Sequence, residues 1–363
     1  MKKTALTFFT VCLLSAVFLM ELSFNVQPVK ANGTIYIKAD GSIDPPTANI
    51  TSIDDVTYTF TDNNHDEIVV ERDNIVIDGA GYTVQGTVAT VCPNCGTPIP
   101  SFRAVCPGCG SIVAIGKGIA LSFRSNVTIK NTIIRNFLWG VSLNSTSQSV
   151  ISGNNITDNF GGVLLGYSSN NTIHGSSIAN NSYGINLELG SSDNVIQGSN
   201  ITDNGKGVAI VNSSNNTISG NNILNNTEVG IHLWEGSRGS IVSENNIINN
   251  GYGVRIDLYS WDNVLYHNNF INNTHQVAPY SMETHTWDDG YPSGGNYWSD
   301  YEEKYPFAEE LDGSGIWDTP YVINENNQDN YPIVPEFPSF LVLPLLMIPT
   351  LLIVIFYRRK HSM

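Results

Sequence analysis

Charge is scarce in this chain of 363 residues. Only 14% of its side chains are charged, against about 25% in an ordinary soluble domain. Basic residues are fewer still, 17 Lys and Arg against 33 Asp and Glu, for a net charge of -16. That balance excludes electrostatic binding to nucleic acid, which needs a basic surface. It suits a soluble surface exposed outside the cell. Cysteine is sparse too: five residues, Cys12 near the N-terminus and the others gathered between Cys92 and Cys109. The Leu-x-x-Leu-x-Leu signature is absent, which argues against a leucine-rich repeat protein.

What the chain has is a repeat. One apolar series falls at Ile129, Ile151, Ile173, Ile196, Ile218, Val242 and Leu265. A second falls at Ile134, Ile156, Ile178, Ile201, Ile223, Ile247 and Phe270. A glycine opens a third segment at Gly118, Gly140, Gly162, Gly184, Gly207, Gly230 and Gly253. Every series steps by 22 to 24 residues, a period that signals stacked repeats. Each short segment offers one or two inward apolar residues between Asn, Gly and Ser. Wound in one sense, three such strands per coil stack each apolar position on its equivalent, with backbone bonds between coils at ~4.8 Å. The expected fold is all-β: a right-handed parallel β-helix of three sheets around a narrow Ile/Val/Leu core. Asn159, Asn181, Asn204, Asn226, Asn250 and Asn273 recur at one corner. Their amides are expected to form a ladder from coil to coil while capping the turns. Asn-x-Ser/Thr sites for glycans are then left to corners such as Asn212 or to Asn49.

The organisation follows from where this period begins and breaks. Residues 1–31 read as a secretory signal peptide: Lys2 and Lys3, an apolar run from Ala5 to Met20, and a small-residue cleavage site at Val29-Lys30-Ala31. Residues 32–72 hold alternating segments expected to cap the stack, since an open sheet edge must be covered. The β-helix is expected over 73–274, interrupted at 87–116. Residues 275–334, rich in Trp, Tyr, Gly and Asp, read as an irregular aromatic C-terminal cap. Residues 335–363 contain an apolar run, Phe340 to Tyr357, then Arg358, Arg359 and Lys360. That run is long enough to span a bilayer, with its basic end in the cytoplasm. Pro335-Glu336-Phe337, the apolar run and the basic tail together resemble the PEF-CTERM sorting signals of archaeal surface proteins. That resemblance implies processing by an archaeosortase. The expected location is secreted and membrane-anchored on the outer face.

The interruption carries the strongest chemical signal. Cys92, Cys95, Cys106 and Cys109 form two Cys-x-x-Cys pairs, each followed by a glycine. Such knuckles bring four thiolates together tetrahedrally, and the expected ligand is Zn2+ in a small ribbon. Two disulfides are the alternative that an extracellular location favours, and soft thiolates also take Cu(I). A closed four-cysteine site leaves no open position for catalysis, so a structural or docking role is expected.

A second candidate comes from counting along the third strand. Two and four places after each glycine, alternation predicts an outward face. In the last coils these positions hold His232, Trp234, Arg255 and Asp257, a set suited to binding sugar. No catalytic residue is assigned. Glycoside cleavage needs two carboxylates about 5 to 9.5 Å apart, whereas Glu188 and Asp257 are separated by three coils, roughly 14 Å. The histidines have no regular metal spacing, although His267, His275 and His285 near the cap are a candidate copper set. Glu310, Asp312, Ser314, Gly315 and Asp318 faintly outline a calcium loop.

The coils, the lead-in "VVERDNIVIDGAGYTVQG" and the cap "WDDGYPSGGNYWSDY…DTPYVI…DNYPI" resemble the NosD-type β-helix family, with a pectin-lyase-like fold. The resemblance spans roughly residues 32–334, apart from the cysteine insertion. It implies kinship with periplasmic copper-binding proteins that assist maturation of nitrous oxide reductase, and with a wider class of carbohydrate-binding and sugar-hydrolysing β-helices. The family's copper label does not map onto the four cysteines. The function expected from the residues is binding of glycans or envelope polymers without catalysis. A polysaccharide lyase or hydrolase, and a copper-binding maturation factor, are the alternatives.

Overall fold

The computed structural model describes residues 33–87, 91–98, 106–111, 116–257, 259–278 and 283–334. The expected signal peptide and the expected sorting signal and anchor fall in residues 1–32 and 335–363, outside the described residues. Contacts divide the chain into two compact units, Met1–Gly33 and Thr34–Met363, and the architecture below belongs to the second. No helix among the described residues is long and apolar enough to cross a membrane.

The repeat folds as a parallel β-helix. The first apolar series lies in a ten-stranded sheet, the second in a nine-stranded sheet, and the glycine-led segments in an eleven-stranded sheet. Each strand pairs with its equivalent one coil on, and the registers match the sequence series: Ile151 with Ile173, Ile156 with Ile178, Val163 with Ile185. Strands of three residues suffice in the first two sheets because one inward side chain per strand makes the core. Third-sheet strands such as Tyr183–Glu188 run to six residues and give the apolar core two, Ile185 and Leu187. These Ile, Val and Leu rows are buried to within 2% of full exposure loss throughout. Each such side chain contributes roughly 1.5–3 kcal/mol.

The glycine at the start of each third-sheet strand has a steric cause. A Cβ on Gly184 would lie 2.5 Å from the Gly207 carbonyl oxygen and 3.1 Å from Ile201 Cγ2. The corner is too tight for any side chain, and the same collision repeats along the column.

The polar residues at the corners form more ladders than the one expected. In each, a backbone N–H of one coil donates to a side-chain oxygen of the next. The expected one runs Asn159, Asn181, Asn204, Asn226, Asn250, Asn273. A second runs Asn154, Ser176, Ser199, Asn221, Asn245, Asn268, Asn296. A third runs Ser149, Asn171, Asn194, Asn216, Ser240, Asn263. A fourth links Thr146, Ser168, Ser191 and Ser213. Ladder asparagines also return their amide to a carbonyl of the preceding coil, as Asn204 Nδ2 does to Ile178 O at 3.0 Å. Corner backbone that cannot join a sheet is thereby satisfied without water.

The two ends are closed differently. At the N-terminal end, Ile35–Ile37 pairs antiparallel with Ile43–Asp44, and Ile50–Ser52 antiparallel with Thr57–Phe60. At the C-terminal end, parallel pairing continues through His275–Ala278 in the third sheet and Tyr297–Trp298 in the second. Beyond this, aromatic rings stack on the last core layer: Trp298 lies parallel to Phe270 at 4.3 Å and to Tyr321 at 4.2 Å. Three ladders end here on new residue types. Asn296 N donates to Asp329 Oδ2 at 2.7 Å, Asn263 N to His285 Nδ1 at 3.4 Å, and Asn273 Nδ2 to Gln276 Oε1 at 2.9 Å.

Candidate functional sites

The cysteine segment leaves the helix at a corner, between Thr83–Gln85 of the second sheet and Lys117–Ser122 of the third. Its two halves fold alike. Cys92 N–H donates to Thr97 O and Gly96 N–H to Cys92 O, and Cys106, Ser111 and Gly110 repeat both bonds. Gly96 and Gly110 sit at φ of +69° and +72°, the left-handed turn that places the second sulfur of each pair. The four Sγ atoms lie within 4.8 Å of one another. Cys92 and Cys109 are 3.6 Å apart, and Cys95 and Cys106 3.5 Å, with no disulfide between any of the four. A tetrahedral ion with ~2.3 Å metal–sulfur bonds spaces its sulfurs by roughly 3.8 Å, so the cluster has the size of a four-thiolate metal site. Thr97 Oγ1 lies 3.1 Å from Cys95 Sγ and holds its thiol down to about 6. Ser111 Oγ, at 3.1 Å, likewise lowers Cys109. Burial pushes Cys92 up to about 11.

Among the described residues no other group brings three or more His, Cys, Asp or Glu donors together. The candidate copper histidines have separate occupations. His285 ends an asparagine ladder through Nδ1, and burial pushes it down to about 4. His267 Nε2 bonds Ser293 O at 2.9 Å, and His275 stacks on Tyr252 at 4.9 Å. The calcium-loop carboxylates are already engaged by protein donors. Glu310 Oε1 accepts from Gly315 N, Asp318 Oδ1 from Glu309 N, and Asp312 Oδ2 from Tyr291 Oη.

On the third sheet, the structure does bring His232, Trp234, Arg255 and Asp257 together. His232 pairs in register with Arg255 of the next coil. His232 Nε2 lies 2.9 Å from Asp257 Oδ2, and Arg255 Nε donates to Asp257 Oδ1 at 2.9 Å. The Trp234 indole is stacked 3° from parallel with the His232 ring. Burial lowers the His232 pKa, with Asp257 opposing. Burial raises that of Asp257, but Arg255 and His232 outweigh it and hold the carboxyl below its ordinary value. The His232 ring is thus held between a carboxylate and an indole. Glu188 accepts from Asn186 Nδ2 at 3.0 Å, three coils away, so it does not join Asp257.

One expectation holds only in part. The column two places after each glycine is covered at Ser142, Asn186, Ala209 and His232, while Leu164 and Arg255 stay partly open. Alternation fixes which face a side chain points to, not how deeply its neighbours cover it. More open surface lies one place before the later glycines, at Lys206 and Tyr252, a column that counting forward passes over. There a groove of about 410 Å3 is lined by Lys206, Glu228, His232, Tyr252, Arg255 and His275 among others. A second, more polar groove of about 480 Å3 adjoins it across Thr274 and His275, and reaches Asp300 and Lys304 of the cap.

Residues 102–303 match the family described as periplasmic copper-binding protein (NosD). The chain belongs to the NosD family. The match takes in Cys106 and Cys109 but begins after Cys92 and Cys95, so half of the thiolate cluster lies outside it. No curated protein matches this NosD chain in sequence. Among solved structures it is similar to the Dettilon tailspike protein (14% identity over 66% of this chain and 50% of that one, TM-score 0.44). It is also similar to the periplasmic alginate epimerase AlgG (15%, 67% and 70%, 0.43) and to DFA-IIIase from Arthrobacter chlorophenolicus A6 (11%, 63% and 56%, 0.47). The chain spans about half the length of the tailspike. At these identities and scores the likenesses say nothing of its ligand.

Proposed function

We propose that this NosD-family protein is a β-helix of the cell exterior that binds carbohydrate polymers without cleaving them. The observation that carries the reading is the groove on the third sheet. His232, Tyr252 and Arg255 line it, and the exposed Trp234 indole and Asp257 flank it through their contacts with His232 and Arg255, the mixture of flat apolar faces and polar forks that sugars require. Cleavage by paired carboxylates has little support, since the Asp257 oxygens are already held by Arg255 and His232. The family description, periplasmic, fits a site of action outside the cytoplasm. In this reading the N-terminal segment directs export, and the C-terminal one tethers the chain or is removed by a sorting enzyme. The partner is a polysaccharide of the envelope.

The test is co-sedimentation of the purified protein with a panel of insoluble and soluble polysaccharides, beside Trp234→Ala. Binding that the substitution abolishes supports the proposal. Absence of binding to every polymer, or binding indifferent to Trp234, overturns it.

For the cysteine cluster we propose Zn2+, held by Cys92, Cys95, Cys106 and Cys109 as a closed structural site. The soft thiolates themselves supply a second reading, Cu(I) on the same donors. Metal analysis of the intact protein separates them: one zinc per chain supports the first, and copper in its place supports a metal-handling role.

A further inference from the structure

We propose that the corner asparagines Asn170, Asn180, Asn215, Asn225 and Asn272 are acceptors for N-linked oligosaccharide. Each begins an Asn-x-Ser/Thr triplet, the acceptor motif of exported proteins. The inference rests on the location outside the cell proposed above.

Three observations carry it. First, hydroxyl residues track asparagine from coil to coil. At the corner before the first sheet, equivalent positions read Asn126, Gln148, Asn170, Asp193, Asn215, Gly239 and Asp262. Two places on, in the paired strands, they read Thr128, Val150, Thr172, Val195, Thr217, Ile241 and Val264. Strands accept valine, isoleucine and threonine alike, yet threonine stands only where asparagine precedes it. At the corner after the second sheet, Asp158, Asn180, Asp203, Asn225, Asn249 and Asn272 are followed two places on by Phe160, Ser182, Gly205, Thr227, Gly251 and Thr274. Here too a hydroxyl stands only behind asparagine. The backbone does not demand the amide, since Asp158, Asp193 and Asp203 hold the same left-handed corners at φ of +56°, +57° and +56°.

Second, the triplets avoid the interior. Among the described residues no buried asparagine begins one, and no asparagine that begins one is buried. For a ladder residue such as Asn171 the core enforces this, because Ile173 fills the third place. It does not for Asn181, Asn204 and Asn250, whose third places, Tyr183, Lys206 and Tyr252, are not buried. Asn171 Nδ2 is also engaged, donating to Thr146 O at 3.0 Å. The five corner residues are exposed, and among the described residues none of their amides donates to the protein. Third, along each corner the triplets fall in every second coil: Asn126, Asn170 and Asn215 on one, Asn180, Asn225 and Asn272 on the other. Sugars on adjacent coils, about 4.8 Å apart, would collide from their first rings, whereas two coils leave roughly 10 Å.

The transfer is a substitution. Asn Nδ2 attacks C1 of an oligosaccharide carried on a polyprenyl phosphate lipid. The N–C1 bond forms, the C1–O bond to phosphate breaks, the lipid phosphate leaves, and the amide proton passes to a base of the transferase.

The experiment is peptide mass spectrometry of the full chain purified from its own cells, beside Thr172→Val and Thr172→Ser made in the same cells. We expect sugar on the five corner asparagines and none on the ladder asparagines. Thr172→Val installs the residue that Val150 and Val195 supply in the neighbouring coils, so the fold is kept. It should abolish sugar at Asn170 alone, while Thr172→Ser retains it. Five bare asparagines, or sugar on Asn170 that survives Thr172→Val, overturn the inference. If Trp234→Ala abolishes polysaccharide binding in a protein whose five corner asparagines are bare, the binding reading stands and this inference falls.

Discussion

Asp329 Oδ2 accepts the backbone N–H of Asn296 at 2.7 Å, and also the Trp298 indole N–H at 2.9 Å. A ladder of uncharged acceptors that runs the length of the helix thus ends on a fully buried carboxylate. The neighbouring ladder ends on a buried imidazole, His285. The two terminators titrate in opposite senses. Burial pushes Asp329 up to about 7 from its ordinary 3.8, its hydrogen-bond donors opposing. Burial pushes His285 down to about 4 from 6.5.

The pH dependence of stability follows from those signs. A raised carboxyl pKa gives stability that is complete below about pH 4 and is lost as pH rises to about 7. A lowered imidazole pKa gives stability that is complete above pH 6.5 and is lost as pH falls to about 4. Each effect is on the order of 3 kcal/mol across the same window, so in the native protein they largely cancel. Thermal unfolding of Asp329→Asn should show stability rising from pH 4 to 7. His285→Asn, which merely extends the asparagine ladder, should show the reverse. Parallel pH profiles for the two variants would disprove the assignment.

Removing a ladder residue in mid-helix should cost more than its size suggests. Asn226 accepts from Asn204 N and Nδ2 and donates to Ile201 O and Asn250 Oδ1. Asn226→Ala leaves buried backbone groups unpaired and should destabilise by about 2–4 kcal/mol. Urea titration with an unchanged m-value is the measurement.

Asp257 holds both Arg255 and His232. In Asp257→Asn the imidazole loses its nearby negative charge while its burial remains. NMR titration should find His232 below its ordinary value in the native protein and lower again in the variant. A rise would show that the carboxylate is not what faces the ring. The accompanying loss of stability should be about 1–2 kcal/mol, because Arg255 is partly solvated.

The cysteine segment should be separable from the helix. Cys92→Ser should release the bound metal yet shift the main unfolding transition by less than about 2 °C. The insertion leaves from Gly86 and returns at Gly116, and both are held by neighbouring coils: Gly86 N donates to Arg135 O, and Gly116 O accepts from Leu138 N. Collapse of the whole helix on metal removal would contradict this.

The parallel helix was legible in the sequence because its signal is redundant: Ile151, Ile173 and Ile196 each predict the next. The four cysteines were legible because Cys-x-x-Cys-Gly specifies its own turn. The open surface was not. Burial on the outward face depends on neighbours in other coils, so Asn186 and His232 are covered while Tyr252 and Lys206 border a groove. Gly161 carries no sign in sequence that the Trp139 ring occupies the space a Cβ there would need. The ladder terminators were equally hidden. Asp329 lies 33 residues beyond its partner Asn296, outside any period.

The ladders have a direction: every link passes from a backbone donor in one coil to a side-chain acceptor in the next. Interior coils are thus interchangeable units, each offering its successor what it received, while the two ends are unique. Length becomes a free parameter of the architecture. A coil duplicated between, say, Asn204 and Asn226 meets matching partners above and below and extends the outer surface by one step. A coil added after Asn296 meets a carboxylate that was placed to stop the series. Such a protein can change its reach by copying its middle, with the same two ends kept throughout.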